Sequence, residues 1–371
     1  MRNGEAATLN VGKKERRLDA LGSLVDRAFL AFPKIFGPLL PMRKIDRNTY
    51  ERQIDYYIDN GYANRPESFF TFPAKASTYS IMERRLYHDG EYQLISYQSG
   101  YTAKNPFITE RYNSYTANRT GYLVRWTHRD NNRKTVLCHH GYMLGEPRQA
   151  KKMFRVKNLF ERGLDVALFI APFHWKRGSG SLSQRGLYLQ PDDVVMTCEC
   201  VGQAMYDLYN SFLILSELGA PEIGLIGASL GGYNAALFVS LTQIASFAAL
   251  IVPAINFTRP LGPDTARLPF PIEGQLKEKI RRVWELHSPL NFSPKIPKER
   301  ILVVASRGDL LCPFKYIELL CDTWGITNRH FLTGGHWLIF NRSERGRAWY
   351  NFLADMGFLG RDMIQQLAHG D

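Results

Sequence analysis

Gly227-Ala228-Ser229-Leu230-Gly231-Gly232 is the stretch of this chain best suited to chemistry. It matches G-x-S-x-G, and it lies where an apolar run, Ile223 to Ile226, gives way to a helix-forming run, Tyr233 to Leu241. A strand-to-helix turn this tight holds its central residue in strained dihedrals and lifts that side chain above the sheet. Gly227 and Gly231 would let helix and strand approach closely. A serine hydroxyl is a poor nucleophile until a base takes its proton, and the base needs a carboxylate to orient it. Two later loops offer these groups. The strand-like run Ile301 to Ser306 ends at Arg307-Gly308-Asp309, and Arg329 to Thr333 ends at Gly334-Gly335-His336. The order Ser229, Asp309, His336 therefore supplies nucleophile, orienting acid and base, each on a loop after a strand.

Those loops share one sheet edge only if the strands are parallel, and the pattern predicts that. From Thr135-Val136-Leu137-Cys138 onward, short apolar runs alternate with helical stretches. The expected strands are Thr135 to Cys138, Asp165 to Ala171, Ile223 to Gly227, Phe247 to Pro253, Ile301 to Ser306 and Arg329 to Thr333. Helices are expected over Pro147 to Arg162, Asp192 to Leu218, from Gly232, Gln275 to His287, Pro313 to Gly325 and Glu344 to Met356. Such alternation means a mostly parallel sheet with helices on both faces. Right-handed crossovers make it doubly wound and put functional loops at the C-terminal strand ends. Before this region, Glu91 to Ser99, Arg111 to Thr116 and Tyr122 to His128 read as further strands. The fold class is α/β, with an N-terminal helical arm over residues 1–75 and a main domain over 76–371.

With these residues in place, the chain resembles the α/β-hydrolase superfamily over about residues 85–357. The resemblance implies a sheet with an antiparallel start, a serine at the elbow, an acid after the next-to-last strand and a histidine after the last. Those roles fall on Ser229, Asp309 and His336. It also implies an oxyanion element. His139-His140-Gly141-Tyr142 is similar to the family's H-G-x turn, so the backbone N–H groups of Leu230 and Tyr142, with Gly141 between the turn's flanks, would face a developing oxyanion. The turn lacks the triple glycine of many lipases and esterases. The insertion of about 254–297 is expected to be a small lid that shapes specificity. The implied reaction is cleavage of an ester-like acyl bond, of a small-molecule or lipid acyl substrate, through an acyl-enzyme and without cofactor or metal. Acyl transfer by the same triad, and a non-catalytic binding protein on the same fold, are the alternatives.

Other residues weigh less. The tandem His139-His140 could suggest a metal, but no acidic or cysteine cluster stands nearby, and His140 is expected to brace the oxyanion loop. Asp264 in the insertion could stand in for Asp309. The loop Phe173 to Gln190, with His174, Lys176, Arg177 and Arg185, reads as a solvated basic loop or a rim for an anionic group. Cys198 and Cys200 fall about 200° apart on a helix and do not chelate one metal easily. Five scattered cysteines among 371 residues point to free thiols in a reducing compartment.

Charge and hydropathy bound the partners. Lys plus Arg exceed Asp plus Glu by 47 to 35, a net charge of +12. The basic residues are dispersed and no nucleic-acid motif occurs, so nucleic acid is not expected. No uninterrupted apolar run has spanning length. Leu21, Leu24, Val25, Ala28, Phe29, Phe32, Ile35, Phe36 and Leu39 recur at helical steps, although Pro33 and Pro38 should kink or end that helix. Lys13, Lys14, Arg16 and Arg17 precede the stripe, and Asp19, Asp26 and Arg27 interrupt it, which is unlike a secretory leader. The expectation is a cytoplasmic protein whose arm packs on the main domain or touches a membrane surface. A second helix is expected over Thr49 to Asn60, with Asn48 and Glu51 as a capping box and Gly61 as its C-terminal cap.

Overall fold

A computed structural model describes residues 12–36, 43–130, 132–178, 187–257, 263–340 and 342–361. Nine strands form one sheet: β1 (Tyr79–Tyr87), β2 (Gly90–Gln98), β3 (Thr120–Thr127), β4 (Thr135–His139), β5 (Asp165–Phe169), β6 (Ile223–Ala228), β7 (Ala248–Ile251), β8 (Ile301–Ser306) and β9 (Arg329–Leu332). Their spatial order is β1-β2-β3-β5-β4-β6-β7-β8-β9. The first three strands and the β3–β5 edge pair antiparallel; every later pair is parallel. The antiparallel start and the parallel remainder are as the sequence led us to expect.

The helices are α1 (Lys13–Phe36), α2 (Arg47–Asp59), α3 (Thr109–Asn113), α4 (Pro147–Met153), α5 (Val156–Phe160), α6 (Val194–Glu217), α7 (Leu230–Leu241), α8 (Gly274–Glu285), α9 (Phe314–Trp324) and α10 (Arg342–Asp355). The central strands are buried along their whole length. Successive residues therefore feed different cores. Leu137 and Leu225 join a cluster with α2, α6, α7, α8 and α9, while Val136, Cys138 and Ile226 join one with α4, α5 and α10. This two-sided burial explains why these strands read as continuous apolar runs and not as alternating ones.

Several local expectations are corrected. Pro33 does not end α1, which runs on to Phe36, and Pro38 lies outside the described residues; a proline removes one helical hydrogen bond and can be carried within a helix. Arg111 to Thr116 is α3 and a single 3₁₀ turn, not a strand. The helix expected over Pro147 to Arg162 is two, parted where Arg155 takes a left-handed φ of 49°. The N-cap of α2 is Asp46, whose carboxylate accepts from Thr49 N at 2.9 Å, and not Asn48. Gly61 does take positive φ, +74°. β1 went unread because its exposed residues mix polar Ser80, Arg84 and Arg85 with apolar Met82 and Leu86, so neither an apolar run nor a clean alternation marks it.

The arm is stitched to the main domain. Tyr50, Ile54 and Tyr57 of α2 are fully buried in the larger cluster. Glu199 on α6, also fully buried, accepts from Tyr57 and Tyr101 hydroxyls at 2.7 Å and from the Lys104 and Asn105 N–H groups. Burial pushes its carboxyl above the ordinary range despite these bonds.

The start of the loop after β5 departs from the solvated reading. Arg177 is buried and pairs with Asp207 of α6 at 2.6 Å, while donating to the carbonyls of Ile170 and Asn118. Arg185 and the middle of that loop lie outside the described residues. Removing one member of a buried pair strands the other charge. Arg177→Met should therefore destabilise the fold by about 3–5 kcal/mol, read as a fall in urea midpoint. Adding Asp207→Leu should recover part of that loss.

Candidate active site

Ser229 sits between β6 and α7 with φ 55° and ψ −113°. This strained geometry is what the tight turn demands, and it leaves Ser229 partly exposed while its neighbours Ala228 and Leu230 are buried. The turn is possible only because glycine follows. A Cβ on Gly231 would stand 2.0 Å from the His139 carbonyl oxygen, so α7 starts in contact with the end of β4. The Ser229 N–H is held by the Ile251 carbonyl of β7 at 2.9 Å.

Asp309 and His336 meet beside it. The Asp309 carboxylate lies 2.7 Å from His336 Nδ1 and also accepts the Cys312 N–H at 2.7 Å. Their loops are joined directly, Gly308 N–H to the Gly334 carbonyl at 2.8 Å. Burial pushes the Asp309 carboxyl up, and its bond to His336 pulls it back. Burial alone would push the His336 imidazole down. The Cys312 sulfur, accepting a hydrogen bond from the ring, and the Asp309 carboxylate outweigh it and hold His336 well above the ordinary histidine range.

Cys312 was not anticipated at the site. Its Sγ lies 3.9 Å from Ser229 Oγ, and it shares a space with Asp309 and His336 in which the potential ligand atoms all fall within 4.8 Å of one another. Among the described hydrogen bonds, Ser229 Oγ meets Cys312 and not His336. The three-residue step from Asp309 to Cys312 was the available signal, one turn past the acid. Asp309, Cys312 and His336 could ligate a metal in principle, but Asp309 and His336 already spend facing atoms on each other.

The turn after β4 passes over the elbow: a Cβ on Gly141 would lie 3.5 Å from Ser229 Cβ. Three buried histidines shape it. His139 Nδ1 faces the His140 carbonyl at 3.0 Å and its Nε2 meets Asn234 Nδ2 at 2.9 Å. His140 Nδ1 faces the Gly141 carbonyl at 2.8 Å and its Nε2 accepts the Ala171 N–H at 3.1 Å. His174 repeats the device, Nδ1 toward the Pro172 carbonyl and Nε2 accepting from Met143 N–H at 3.2 Å. One nitrogen donating and the other accepting fixes a neutral tautomer. Burial agrees: it pushes His139 to about 3, His140 to about 4, and His174 well below its ordinary value. These histidines are braces, as expected of His140. His174 was missed in that role because its loop looked basic and solvated. Asp264 lies far from an acid's role; it is exposed and paired with Lys277 at 2.5 Å.

The arm reaches the same loops. Asp26 of α1 is fully buried, and its carboxylate accepts the His336 N–H at 2.9 Å and the Leu310 N–H at 3.0 Å. Asp19 accepts the Gly334 N–H at 2.7 Å, and Ser23 donates to the Gly308 carbonyl at 2.7 Å. Gly22 makes this approach possible, since a Cβ there would stand 2.0 Å from Gly335 N. One helix thus grips the loops that carry Asp309 and His336. Asp26→Ala should lower kcat about 10- to 100-fold with little change in KM, because misplacing a reacting group by about 1 Å costs on that order. Steady-state kinetics on a protein with an unchanged near-UV spectrum checks it.

Comparison with known proteins places the fold. The Uncharacterised protein family (UPF0227) matches residues 201–316. An uncharacterised protein of Mycobacterium tuberculosis (strain CDC 1551 / Oshkosh) is 27% identical over 290 residues, covering 76% of this chain and 68% of that protein. Its counterpart in strain ATCC 25618 / H37Rv is 26% identical over the same length. Among solved structures, acetyl xylan esterase 1 from Thermoanaerobacterium sp. JW/SL YS485 superposes with a TM-score of 0.55 at 12% identity, covering 80% of this chain and 93% of that one. An acetyl xylan esterase from Paenibacillus sp. R4 does so with a TM-score of 0.53 at 14% identity, covering 85% and 96%.

Proposed function

The sheet, its strand order and these likenesses make this an α/β-hydrolase fold, and from that premise we propose that the protein is a serine hydrolase acting on an ester-like acyl bond. The observation that carries the reading is Ser229 at a positive-φ elbow beside a hydrogen-bonded Asp309–His336 pair. The two solved structures are esterases by name; at their low identity they support the fold, and the site supports the chemistry.

In the proposed reaction Ser229 Oγ attacks the acyl carbonyl carbon while His336 Nε2 takes the hydroxyl proton. Asp309 keeps the other ring proton on Nδ1 and stabilises the imidazolium. The carbonyl electrons move onto oxygen, and the N–H groups of Leu230 and Tyr142 donate hydrogen bonds to that oxyanion, the Gly141 turn setting their spacing. Collapse expels the alcohol, which leaves with the proton from His336. Water repeats the sequence and releases the acid and free Ser229. The side chain of Ser229 must turn from Cys312 toward His336 when substrate enters; unliganded triads are commonly looser than reacting ones.

Cys312 is the nearest rival nucleophile, and its environment argues against it. The residue is 4% exposed, and burial pushes its thiol above the ordinary range, so little thiolate forms at neutral pH. Cys312→Ala should accordingly keep most of the turnover.

The base must be neutral to accept a proton. His336 is held above about 6.5, the ordinary histidine value, so kcat/KM should rise with pH along a limb centred above that value. A pH–rate profile measures this. Because Asp309 helps to hold the charge on His336, weakening it should move the limb to lower pH. A limb unmoved by Asp309→Asn contradicts the assignment of the base.

A further inference from the structure

The face of α1 that does not grip the loops is turned to solvent, and it is apolar. Leu21, Leu24 and Val25 are 47%, 61% and 40% exposed. At about 100° per residue, Lys13, Lys14 and Arg17 fall on the same side of the helix, opposite Asp19, Ser23 and Asp26. All three basic residues are exposed. This inverts the usual plan of a surface helix, whose apolar stripe turns inward. The polar side is consumed by the Asp309 and His336 loops, and the apolar side is left over. Trp337, adjacent to His336 on the loop that Asp26 holds, is 47% exposed.

We propose that this surface docks on an anionic lipid bilayer, and that the hydrolase, if Ser229 acts as argued above, takes its acyl ester from that bilayer. The chemistry of the face fits one occupant best. Leucine and valine enter the boundary between headgroups and acyl chains, and lysine and arginine beside them meet anionic headgroups. A protein partner would be expected to meet a flat apolar patch without a basic end. A helix is about 10 Å across, so a bilayer on the outer face of α1 lies one helix diameter from the loops that bear Asp309 and His336. Ester held in that bilayer is delivered at the site, and ester in bulk water gains nothing from the arrangement.

The test uses full-length protein and vesicles of phosphatidylcholine alone or with 30% phosphatidylglycerol, a mixture taken as about the anionic content that attracts basic segments. Co-sedimentation is expected with the anionic vesicles at low salt, much less with the neutral ones, and progressively less as salt rises. Each basic residue near such a surface multiplies the partition several-fold, so changing Lys13, Lys14 and Arg17 together to Gln should lower it about 100-fold. Leu21→Gln with Leu24→Gln should abolish sedimentation while turnover of a short water-soluble ester stays at the wild-type rate. The same variants should lose turnover of a long-chain ester embedded in the anionic vesicles. Soluble-ester turnover reports on the triad and sedimentation on the face, so either reading can fail alone. Wild-type protein that stays in the supernatant with anionic vesicles overturns the proposal. So does equal binding to neutral vesicles, or a dimer in size-exclusion chromatography that the Leu21 and Leu24 changes dissociate, which would assign the face to a second copy of the chain.

Discussion

Ser229→Ala should reduce kcat on any ester the protein turns over by on the order of 10⁴- to 10⁶-fold, the range of triad knockouts. The substitution removes one oxygen from a partly exposed side chain, so the fold should survive with an unchanged melting temperature. What remains should be the weak catalysis of the oxyanion donors alone. KM should change little, because the hydroxyl contributes to the transition state and not to holding the acyl chain. Measured single-turnover and steady-state rates should fall together. A loss of less than tenfold would sink the assignment of the nucleophile.

Asp309→Asn should cost about 10⁴-fold in kcat. The amide keeps the size of the carboxyl, and its oxygen can still accept the Cys312 N–H. Facing His336 Nδ1, however, it offers either an acceptor of no charge or a donor that forces the wrong tautomer. In the second case the proton moves to Nε2 and the base is blocked toward Ser229. The expected sign with pH follows from the same contact. Asp309 contributes to holding His336 above the ordinary histidine range, so the variant's acid limb should sit lower than the wild type's. Asp309→Ala, which leaves a gap by the imidazole, should be at least as slow. A rate within tenfold of wild type for both variants would show that another acid serves His336. Asp26, the nearest buried carboxylate on α1, would then be examined first, because it already bonds the His336 N–H.

The run of parallel strands from β4 to β9, the elbow and the loops after β8 and β9 were legible because each rests on local pattern. Apolar runs bounded by glycine set the strands. G-x-S-x-G at a strand end placed Ser229, and two strand ends placed Asp309 and His336. The brace on His140 followed from its neighbour Gly141. What could not be read were contacts between distant parts of the chain. Nothing near Asp26 in sequence says that it will meet His336, which lies 310 residues away. Periodicity shows that α1 has two faces and not which one the protein takes: of its apolar stripe, Leu21, Leu24 and Val25 face solvent, and the side chains of Phe29, Phe32, Ile35, Phe36 and Leu39 lie outside the described residues. The same holds for Arg177, whose basic neighbours suggested solvent until Asp207 of α6 was in place. Cys312 read as one more apolar-flanked thiol, and only the pairing of β6 with β7 and of β7 with β8 brings it to Ser229.

The most direct test of the central claim is the site of covalent modification by a fluorophosphonate, read by intact mass and peptide mapping. Such a probe phosphonylates an activated serine and expels fluoride, adding one group per working site. One adduct per chain is expected, on the peptide that contains Ser229, formed faster as pH rises through the His336 limb, slowed in Asp309→Asn and absent in Ser229→Ala. No adduct on the wild-type protein, or an adduct on Cys312 that persists in Ser229→Ala, would contradict it.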